Sequence, residues 1–450
     1  MAHWLIERIR QLGDRDCIVQ IDQTFSYGDL AQEIDHSLRA FQTAGLQSGQ
    51  IVALSGDYSI RGIAAFIALL EIQAIIVPIA SISLEEAKER QREANALWII
   101  ETADSISVKR LPTAEAEPHD LIQQVRDAQS PGLILFSSGS TGRAKAMIHD
   151  AKQLLARFEK KRTRRHRILV FLLFDHIGGL NTLFNALATG ACIIVPNSRD
   201  PDEVARAMAS HGANLLPASP TFLNLLLISG ATKHHDLSKL RFITYGTEPM
   251  PESLLKRIQQ DLPNATLIQT FGTSETGISQ TISRASDSTL IKFEDPNTEH
   301  KIVDGELWLR SQSQVLGYLN QDTTRFTPDG WFRTGDLVEN ENDGFLRIVG
   351  RRQDLINVGG EKVTPSEVES IILEMPEVAD CMVYGEENAI TGQNVAAKVV
   401  PSKEKTHPRE LKRLIKNYCR ERLSAYKVPA RIRITGSTEY SERFKKMRHR

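Results

Sequence analysis

The first part of this chain alternates helical and strand patterns, and that alternation restricts the fold more than any other feature. Apolar residues recur at helical spacing over 26–44, and a short buried strand is predicted at 51–54. A buried helix over 62–70 and a strand over 74–79 follow, and the alternation resumes between 168 and 269. Strands separated by helices are typical of parallel β-sheets with crossover helices. The sequence therefore predicts an α/β fold for most of the chain.

The pattern changes after residue 305, where short strands are separated by Asp-Gly turns. Such turns connect neighbouring antiparallel strands, so we expect a small antiparallel β subdomain with strands over 306–310, 315–318 and 345–349. Beyond residue 350, helical and strand patterns form a compact tail. The complete prediction is a large N-terminal region of parallel-type sheets with crossover helices and an antiparallel subdomain, followed by a small mobile α+β C-terminal domain.

Composition excludes several classes of protein. Lys and Arg total 55 against 56 Asp and Glu, so the global charge indicates no nucleic-acid partner. The longest apolar stretch, 62–80, contains Glu71, and burying that charge in lipid is costly, so we expect no membrane span. The four cysteines lie far apart, match no zinc or disulfide spacing, and fit a reducing compartment. No secretory signal pattern precedes them, and we expect a cytoplasmic protein.

A loop rich in glycine and hydroxyl groups occupies residues 136–145, Phe-Ser-Ser-Gly-Ser-Thr-Gly-Arg-Ala-Lys. Its backbone N–H groups, hydroxyls and terminal lysine can converge on anionic oxygens, which indicates a polyphosphate ligand. The order of residues differs from the common P-loop, in which the lysine directly precedes Ser or Thr. Taken alone, this segment is equally consistent with a flexible surface loop.

Three further motifs follow at 271–275 (Phe-Gly-Thr-Ser-Glu), 331–336 (Trp-Phe-Arg-Thr-Gly-Asp) and 350–354 (Gly-Arg-Arg-Gln-Asp). In order and approximate spacing, the four motifs resemble those of the adenylate-forming superfamily. That superfamily includes acyl-CoA synthetases, aryl-CoA ligases, luciferases and the adenylation domains of peptide synthetases. The resemblance covers nearly the whole chain. It implies that a carboxylate attacks the α-phosphate of ATP to give an acyl-adenylate, and that a thiol then takes the acyl group.

Three alternatives for the activity follow from the resemblance. Coenzyme A is the preferred thiol, because residues 357–369 resemble the segment after the hinge in many acyl-CoA synthetases. A stand-alone adenylation enzyme that loads the phosphopantetheine arm of an acyl or peptidyl carrier protein is the second. A nucleotide-binding protein that has lost catalysis is the third. The departures from the motifs at Ala144, Ala146 and Lys445 favour it slightly, and the intact residues Lys145, Glu275, Asp336 and Arg351 count against it.

The resemblance also assigns the nucleotide-binding residues. The β- and γ-phosphates would be bound by Ser138, Gly139, Ser140, Thr141, Gly142 and Lys145. The adenine would lie along the backbone of Gly246, Thr247 and Glu248, with the ring of Phe271 stacked on it in a motif continued by Gly272 and Thr273. Ser274 would reach the α-phosphate and Glu275 would hold Mg²⁺. Asp336 would accept both ribose hydroxyls, and Arg351 would reinforce the ribose and phosphate side.

For the acid, the resemblance makes His176 a wall of the acyl pocket and a gate for the thiol. Amino-acid-activating relatives place an aspartate directly after this histidine, whereas this chain has Ile177. An apolar residue cannot pair with an ammonium, so a plain acyl or aryl acid is predicted. A shift of two residues in the alignment would instead place Asp175 in that role. Tyr245 and Gly277 complete the predicted pocket.

The resemblance places a domain boundary inside the 350–354 motif, which gives a large domain over 1–352 and a small one over 353–450. Gln353 would be the hinge, and Gly359 and Gly360 would approach the thiol tunnel. The terminal catalytic lysine of the family is best matched by Lys446, with Lys445 as the alternative. A basic run over 157–167 is either a solvated face or a docking patch for the coenzyme A 3′-phosphate or an acidic carrier protein.

Overall fold

The structure is a computed structural model that describes residues 3–80, 83–112, 117, 119–137, 144–402, 407–441 and 444–448. The helices are α1 His3–Leu12, α2 Tyr27–Ala44, α3 Ile60–Glu71, α4 Leu84–Glu93, α5 Asp120–Asp127, α6 Ala151–Glu159, α7 Ile177–Thr189, α8 Pro201–His211, α9 Pro220–Ile228, α10 Ala231–His234, α11 Glu252–Asp261, α12 Pro365–Ile372 and α13 Pro408–Arg422. Short 3₁₀ turns occur at Asn342–Gly344, Arg352–Asp354 and Ala425–Lys427.

The strands are β1 Asp16–Gln20, β2 Gln23–Ser26, β3 Ile51–Ser55, β4 Ile75–Ile79, β5 Trp98–Glu101, β6 Ser107–Arg110, β7 Gly132–Ser137, β8 Lys145–Asp150, β9 Arg167–Leu169, β10 Cys192–Val195, β11 Leu215–Ala218, β12 Phe242–Tyr245, β13 Thr266–Gln269, β14 Phe271–Thr273, β15 Gly277–Ser279, β16 Thr281–Ser283, β17 Leu290–Phe293, β18 Thr298–Val303, β19 Glu306–Ser311, β20 Gly317–Tyr318, β21 Phe332–Asn340, β22 Leu346–Arg351, β23 Ile356–Val358, β24 Glu361–Val363, β25 Val378–Asn388, β26 Gly392–Pro401 and β27 Arg431–Ile434.

Two mainly parallel sheets build the large region. One has the strand order β13-β12-β11-β9-β10-β1-β2, in which only the β1–β2 pair is antiparallel. The other has the order β20-β8-β7-β4-β3-β5-β6, with a parallel centre and antiparallel edges. The predicted α/β fold with crossover helices is therefore confirmed.

Helices α3 and α7 join the two sheets through one apolar core. Alternate residues of β3 face opposite ways, as a pleated strand requires. Val52 and Leu54 pack in the core with α3, whereas Ile51 and Ala53 pack in a second cluster on the opposite face of that sheet. Because both faces are covered, this strand is apolar throughout rather than alternating.

The antiparallel subdomain is the sheet β16-β17-β22-β21-β19-β18. The strand predicted over 315–318 does not belong to it. The observed β20 is shorter and pairs antiparallel with β8, at the edge of a parallel-type sheet. Val315 and Tyr318 are buried in the large core, and this burial draws the segment away from the Asp-Gly hairpins around it.

The small C-terminal region folds around its own sheet, β24-β23-β26-β25, with β27 parallel to β26. Helices α12 and α13 contribute to its separate apolar core. The chain changes sheet between Arg351, the last residue of β22, and Ile356, the first of β23. The boundary at 352/353 stays a prediction, and it falls within this connection. Among the described residues, no helix combines the length and apolar character needed to cross a membrane.

Candidate active site

A cleft of about 630 Å³ lies between the large and small regions. Its wall on the large side is formed where parallel strands end, at Ser137, the last residue of β7, at Gly246 after β12 and at Thr270 after β13. Ligands of open α/β sheets bind at the carboxyl ends of the strands, so this is the expected position for a site. The opposite wall includes residues 364–366 of the small region and the terminal residues 445–448.

The predicted phosphate-binding loop is flanked by residues that lie at this cleft. Ser137 and Lys145 are paired across β7 and β8, and Ser137 lines the cleft with Ala144. The loop residues assigned to the phosphates from the sequence, namely Ser138, Gly139, Ser140, Thr141 and Gly142, lie outside the described residues. The ammonium of Lys145 is 5.8 Å from the ring centroid of Tyr318.

Asn320 holds the exit of this loop. Its side-chain oxygen accepts a hydrogen bond from the backbone N–H of Ala146 at 2.9 Å. Its amide nitrogen donates to the carbonyl of Ala144, also at 2.9 Å. The contacts join residues more than 170 positions apart. Asn320, which ends the run Gly-Tyr-Leu-Asn at 317–320, was not among the residues predicted from the sequence.

The Phe-Gly-Thr-Ser-Glu motif ends in a tight turn. The hydroxyl of Thr273 accepts hydrogen bonds from the backbone N–H groups of Glu275 at 3.2 Å and Thr276 at 3.1 Å. Ser274, the next residue after Thr273, is half-buried. Glu275 is 7% exposed, and its carboxylate accepts a hydrogen bond from the Tyr318 hydroxyl at 2.8 Å. The hydrogen bond from Tyr318 fixes the orientation of the Glu275 carboxylate.

The donor set at this turn fits one magnesium ion. Among the described residues, no group of three or more His, Cys, Asp and Glu side chains could hold a metal. Mg²⁺ nevertheless needs only one or two protein carboxylates when phosphate oxygens and water complete its shell. Glu275 supplies one such carboxylate, and Arg325, 4.0 Å from it, limits the negative charge around it.

Asp336 and Arg351 are opposite each other on β21 and β22. Asp336 is 7% exposed, and the Arg351 Nε donates to its Oδ1 at 3.1 Å. The pKa of Asp336 is raised, because burial outweighs the opposing charges of Arg351 and Lys445. Both residues line the cleft, so the structure brings together two side chains that the motifs predicted separately.

The predicted adenine turn also lines the cleft. Gly246 must lack a side chain, because a Cβ there would lie 2.6 Å from the Thr270 carbonyl oxygen. Thr247 is in the left-handed region with φ of 75°. Phe271 and Gly272 line the same wall, and the Phe271 ring packs at 5.7 Å against Phe293. The backbone of this turn is therefore packed closely against the neighbouring strand.

Glu248 lines the cleft and is bonded to the terminal segment. Its Oε2 accepts hydrogen bonds from the Thr221 hydroxyl at 3.1 Å and from the backbone N–H of Lys446 at 3.3 Å. Burial raises its pKa, and the charge of Lys446 opposes that shift. The side chain thus contacts the terminal segment, and the predicted role of its backbone along the adenine stays a prediction.

The four residues predicted for the acid pocket are not part of the cleft lining. His176 is the N-cap of α7, and its Nδ1 accepts the backbone N–H of Gly178 at 3.2 Å. Ile177 and Tyr245 are buried in the two large cores, and burial raises the pKa of Tyr245. Gly277 is buried, with φ of 74°.

Asp175 does not stand free in the cleft. It is 2% exposed, and its Oδ2 accepts a hydrogen bond from Arg90 Nη1 at 2.6 Å. Arg90 also bonds Glu86 at 2.6 Å and lies 5.5 Å from the ring centroid of Phe136. The alternative alignment, in which Asp175 pairs with a substrate ammonium, conflicts with this ion pair. Arg90 is 85 positions away from its partner, and no sequence motif indicated the contact.

The two terminal lysines occupy different surroundings. Lys446 is the residue that the motif matched best, but its ammonium bonds the Cys381 carbonyl at 2.5 Å and lies 3.4 Å from Asp380. Burial opposes its charge, yet Glu369 and Asp380 outweigh that effect and raise its pKa. Both lysines line the cleft, and the charge of Lys445 opposes the burial that raises the pKa of Asp336.

The remaining predicted residues lie on either side of the connection between the regions. Gln353 lines the cleft from the 3₁₀ turn Arg352–Asp354, and its role as hinge stays a prediction. Gly359 and Gly360 form the exposed turn between β23 and β24 and do not line the cleft. The basic run over 157–167 covers the end of α6, the connection that follows and the first residue of β9, and its role as a docking patch stays a prediction.

Comparisons with known proteins agree with this geometry. The family model described as AMP-binding enzyme matches residues 5–319, which is more than half of the chain. The model described as AMP-binding enzyme C-terminal domain matches residues 367–445. The two matches fall on either side of the predicted hinge.

Individual relatives extend over the whole chain. A 2-succinylbenzoate–CoA ligase of Bacillus licheniformis is 26% identical over 485 aligned positions, covering 100% of this chain and 98% of that protein. The structure of an anthranilate CoA ligase bound to anthranoyl-AMP has a TM-score of 0.82 at 19% identity, covering 98% of this chain and 95% of that one. An o-succinylbenzoate CoA synthetase of Bacillus subtilis with its acyl-adenylate has a TM-score of 0.75 at 21% identity, covering 99% and 96%.

Proposed function

This chain belongs to the AMP-binding enzyme family and is an AMP-forming acid–thiol ligase, and we propose that it joins an aromatic carboxylic acid to coenzyme A. The resemblance drawn from the sequence motifs is thereby confirmed. The observation that carries the proposal is the convergence of Asp336, Arg351 and Lys445 on one cleft, beside the exit of the phosphate-binding loop. ATP and coenzyme A are the substrates that the family implies.

The acid is proposed to be aromatic and without an α-amino group. The relatives that match over the full length are named 2-succinylbenzoate–CoA ligases, and 2-succinylbenzoate is therefore the first candidate. The pairing of Asp175 with Arg90 supports the absence of an ammonium, because a carboxylate already held by a buried guanidinium is a poor partner for a second cation. Ile177 offers no partner for an ammonium either.

Each charged residue of the cleft has a distinct proposed role. Asp336 accepts the ribose hydroxyls, and Arg351 keeps its carboxylate charged and oriented. Lys145 neutralises the terminal phosphates as they leave. Because the reaction moves negative charge around phosphorus, fixed cations in a buried cleft supply most of the stabilisation.

We assign the terminal catalytic role to Lys445 rather than to Lys446. Both lysines line the cleft, but the ammonium of Lys446 is held by Asp380 and the Cys381 carbonyl, whereas Lys445 shares the cleft lining with Asp336. Phe444 then stands where the family motif has glycine. It has φ of 50°, a conformation that glycine adopts most readily.

Glu275 is the proposed magnesium ligand. Bound there, the ion would neutralise charge on the phosphate oxygens. Tyr318 orients the carboxylate through its hydroxyl, and Ser274 presents its own hydroxyl from the same turn. Coenzyme A is preferred over a carrier protein because the matching relatives are named CoA ligases. All four cysteines are buried free thiols, which supports a reducing cytoplasm as the compartment.

Pyrophosphate release from a panel of acids tests the proposal. The panel contains 2-succinylbenzoate, anthranilate, benzoate, an aliphatic acid and a proteinogenic amino acid, each with and without coenzyme A. We expect the aromatic acids to drive release and thioester to accumulate only with coenzyme A. Selective activation of the amino acid over its deaminated analogue would overturn the proposed substrate class. Thioester formed only on a phosphopantetheinylated carrier protein would overturn the proposed thiol.

A further inference from the structure

The terminal segment 444–448, which we name the terminal clasp, contacts both regions of the molecule. We propose that Phe444 and Lys446 are positioning residues that fasten the clasp to the large and the small region, and that they thereby hold Lys445 in the cleft. This inference rests on the proposed function, since it assumes that Lys445 acts in adenylation. The supporting contacts are those of Phe444 with the large region and those of Lys446 with the small region.

Phe444 is the attachment to the large region. It is 8% exposed and belongs to the apolar core of the first parallel sheet. Its ring centroid lies 4.9 Å from that of Phe222 and 5.9 Å from that of Phe171. Its carbonyl accepts a hydrogen bond from the Ser219 hydroxyl, the N-cap of α9, at 2.8 Å. A residue of the C-terminal end is thus part of the large region's core.

Lys446 and Arg448 are the attachments to the small region. Lys446 is 8% exposed, and besides the Cys381 carbonyl its ammonium faces Asp380 at 3.4 Å and Glu369 at 3.6 Å. Arg448 donates to both oxygens of Glu369, at 3.0 and 2.8 Å. Glu369 and Asp380 lie on α12 and β25, so these ion pairs join the clasp to the centre of the small region.

The alternation of side chains along the clasp explains why Lys445 is presented to the cleft. Lys446 forms an antiparallel bridge with Tyr440, so the segment is extended there. In an extended segment, successive side chains point in opposite directions. Phe444, with φ of 50°, precedes the extended stretch. Lys446 and Arg448 bind the small region, and Lys445 lines the cleft together with Asp336.

The backbone of the clasp is fixed at the same point. The N–H of Lys446 donates to Glu248 of the large region, while its side chain binds the small region. Lys446, the residue directly after Lys445, therefore contacts both regions. Loosening either attachment should displace the ammonium of Lys445 without removing it. The family resemblance limits the lysine to adenylation, so the second half-reaction should not need the clasp.

The test compares the two half-reactions in full-length Phe444→Ala and Lys446→Met variants. We expect ATP-dependent adenylate formation to fall about ten- to a hundredfold, because small misplacements of a catalytic group have effects of this size. The KM for ATP should change little. Thioester formation from supplied acyl-adenylate and coenzyme A should be retained. Phe444→Leu should restore most of the adenylation rate, since it refills the apolar site.

Ile415→Ala is the matched control, because it removes a fully buried apolar contact within the small region and leaves the clasp intact. An equal drop in adenylation for Ile415→Ala and Phe444→Ala would overturn the inference, because general loosening would then explain both. Wild-type adenylation in Phe444→Ala would also overturn it, provided that Lys445→Ala is inactive. If Lys445→Ala keeps adenylation, the catalytic assignment under the proposed function fails instead.

Discussion

The cleft receives its charged groups from two regions that hold them by different means. Asp336 and Arg351 lie on neighbouring strands in register, so the ladder of backbone hydrogen bonds sets their separation. Lys445 lies in a short terminal segment whose position depends on the side chains of Phe444 and Lys446. The first arrangement is rigid because it is built into a sheet. The second can be released without unfolding either region, which suits a residue needed in only one of two half-reactions.

The largest effect is expected from removing Lys445, the charged group that the terminal clasp holds in the cleft. Lys445→Ala should reduce adenylate formation about a thousandfold, because removing one preorganised charge at a reacting centre costs roughly 3–4 kcal/mol. Thioester formation from supplied acyl-adenylate should persist. Single-turnover assays of both half-reactions measure this. Lys446→Ala with the same loss, beside an active Lys445→Ala, would return the catalytic role to Lys446.

The next prediction concerns how the free energy of unfolding depends on pH through a histidine buried in a sheet of the large region. His149 on β8 is fully buried, and burial lowers its pKa from 6.5 to about 4. Between these values the unfolded chain binds a proton that the folded chain does not. Stability should therefore fall as the pH drops from 6.5 towards 4, by about 3 kcal/mol at most from this group.

Urea unfolding at several pH values compares the wild type with His149→Gln. The variant should lose this part of the pH dependence whatever its absolute stability. His36→Gln, at an exposed position on α2, is the control and should retain the wild-type slope. An unchanged slope in His149→Gln would mean that other groups cause the acid sensitivity.

A smaller effect on activity is expected from changing Asp336, the proposed partner of the ribose hydroxyls. Asp336→Asn should raise the KM for ATP about tenfold, because hydrogen bonds to a charged acceptor are worth roughly 1.5–3 kcal/mol and the amide keeps part of them. The order of preference among acids should not change, since Asp336 would touch only the nucleotide. Initial rates at varied ATP and fixed acid measure this. An altered acid preference with unchanged KM for ATP would show that Asp336 belongs to the acid side.

The sequence predicted what is encoded locally and left open what depends on distant contacts. The helix–strand alternation gave the parallel sheets, and the motifs gave Asp336 and Arg351 because each lies in a short recognisable run. The choice between Lys445 and Lys446 was open, because in an extended segment a shift of one residue reverses the direction of every side chain. The Arg90–Asp175 pair had no sequence signal at all, because its partners meet only in the folded chain.

Asn320 gives the smallest predicted effect and tests how firmly the sheet holds the phosphate-binding loop. Its side chain bonds the N–H of Ala146 and the carbonyl of Ala144, so it closes the first residues of β8 against the turn after β20. Asn320→Ala should cost about 1 kcal/mol of unfolding free energy for these hydrogen bonds and raise the KM for ATP several-fold. Asn320→Asp keeps an acceptor for the N–H of Ala146, but its ionised carboxylate has no donor for the carbonyl of Ala144, so one of the two hydrogen bonds is lost and its effect should be intermediate. If Asn320→Ala matches the wild type in both urea unfolding and KM for ATP, the loop is held by the β7–β8 pairing alone.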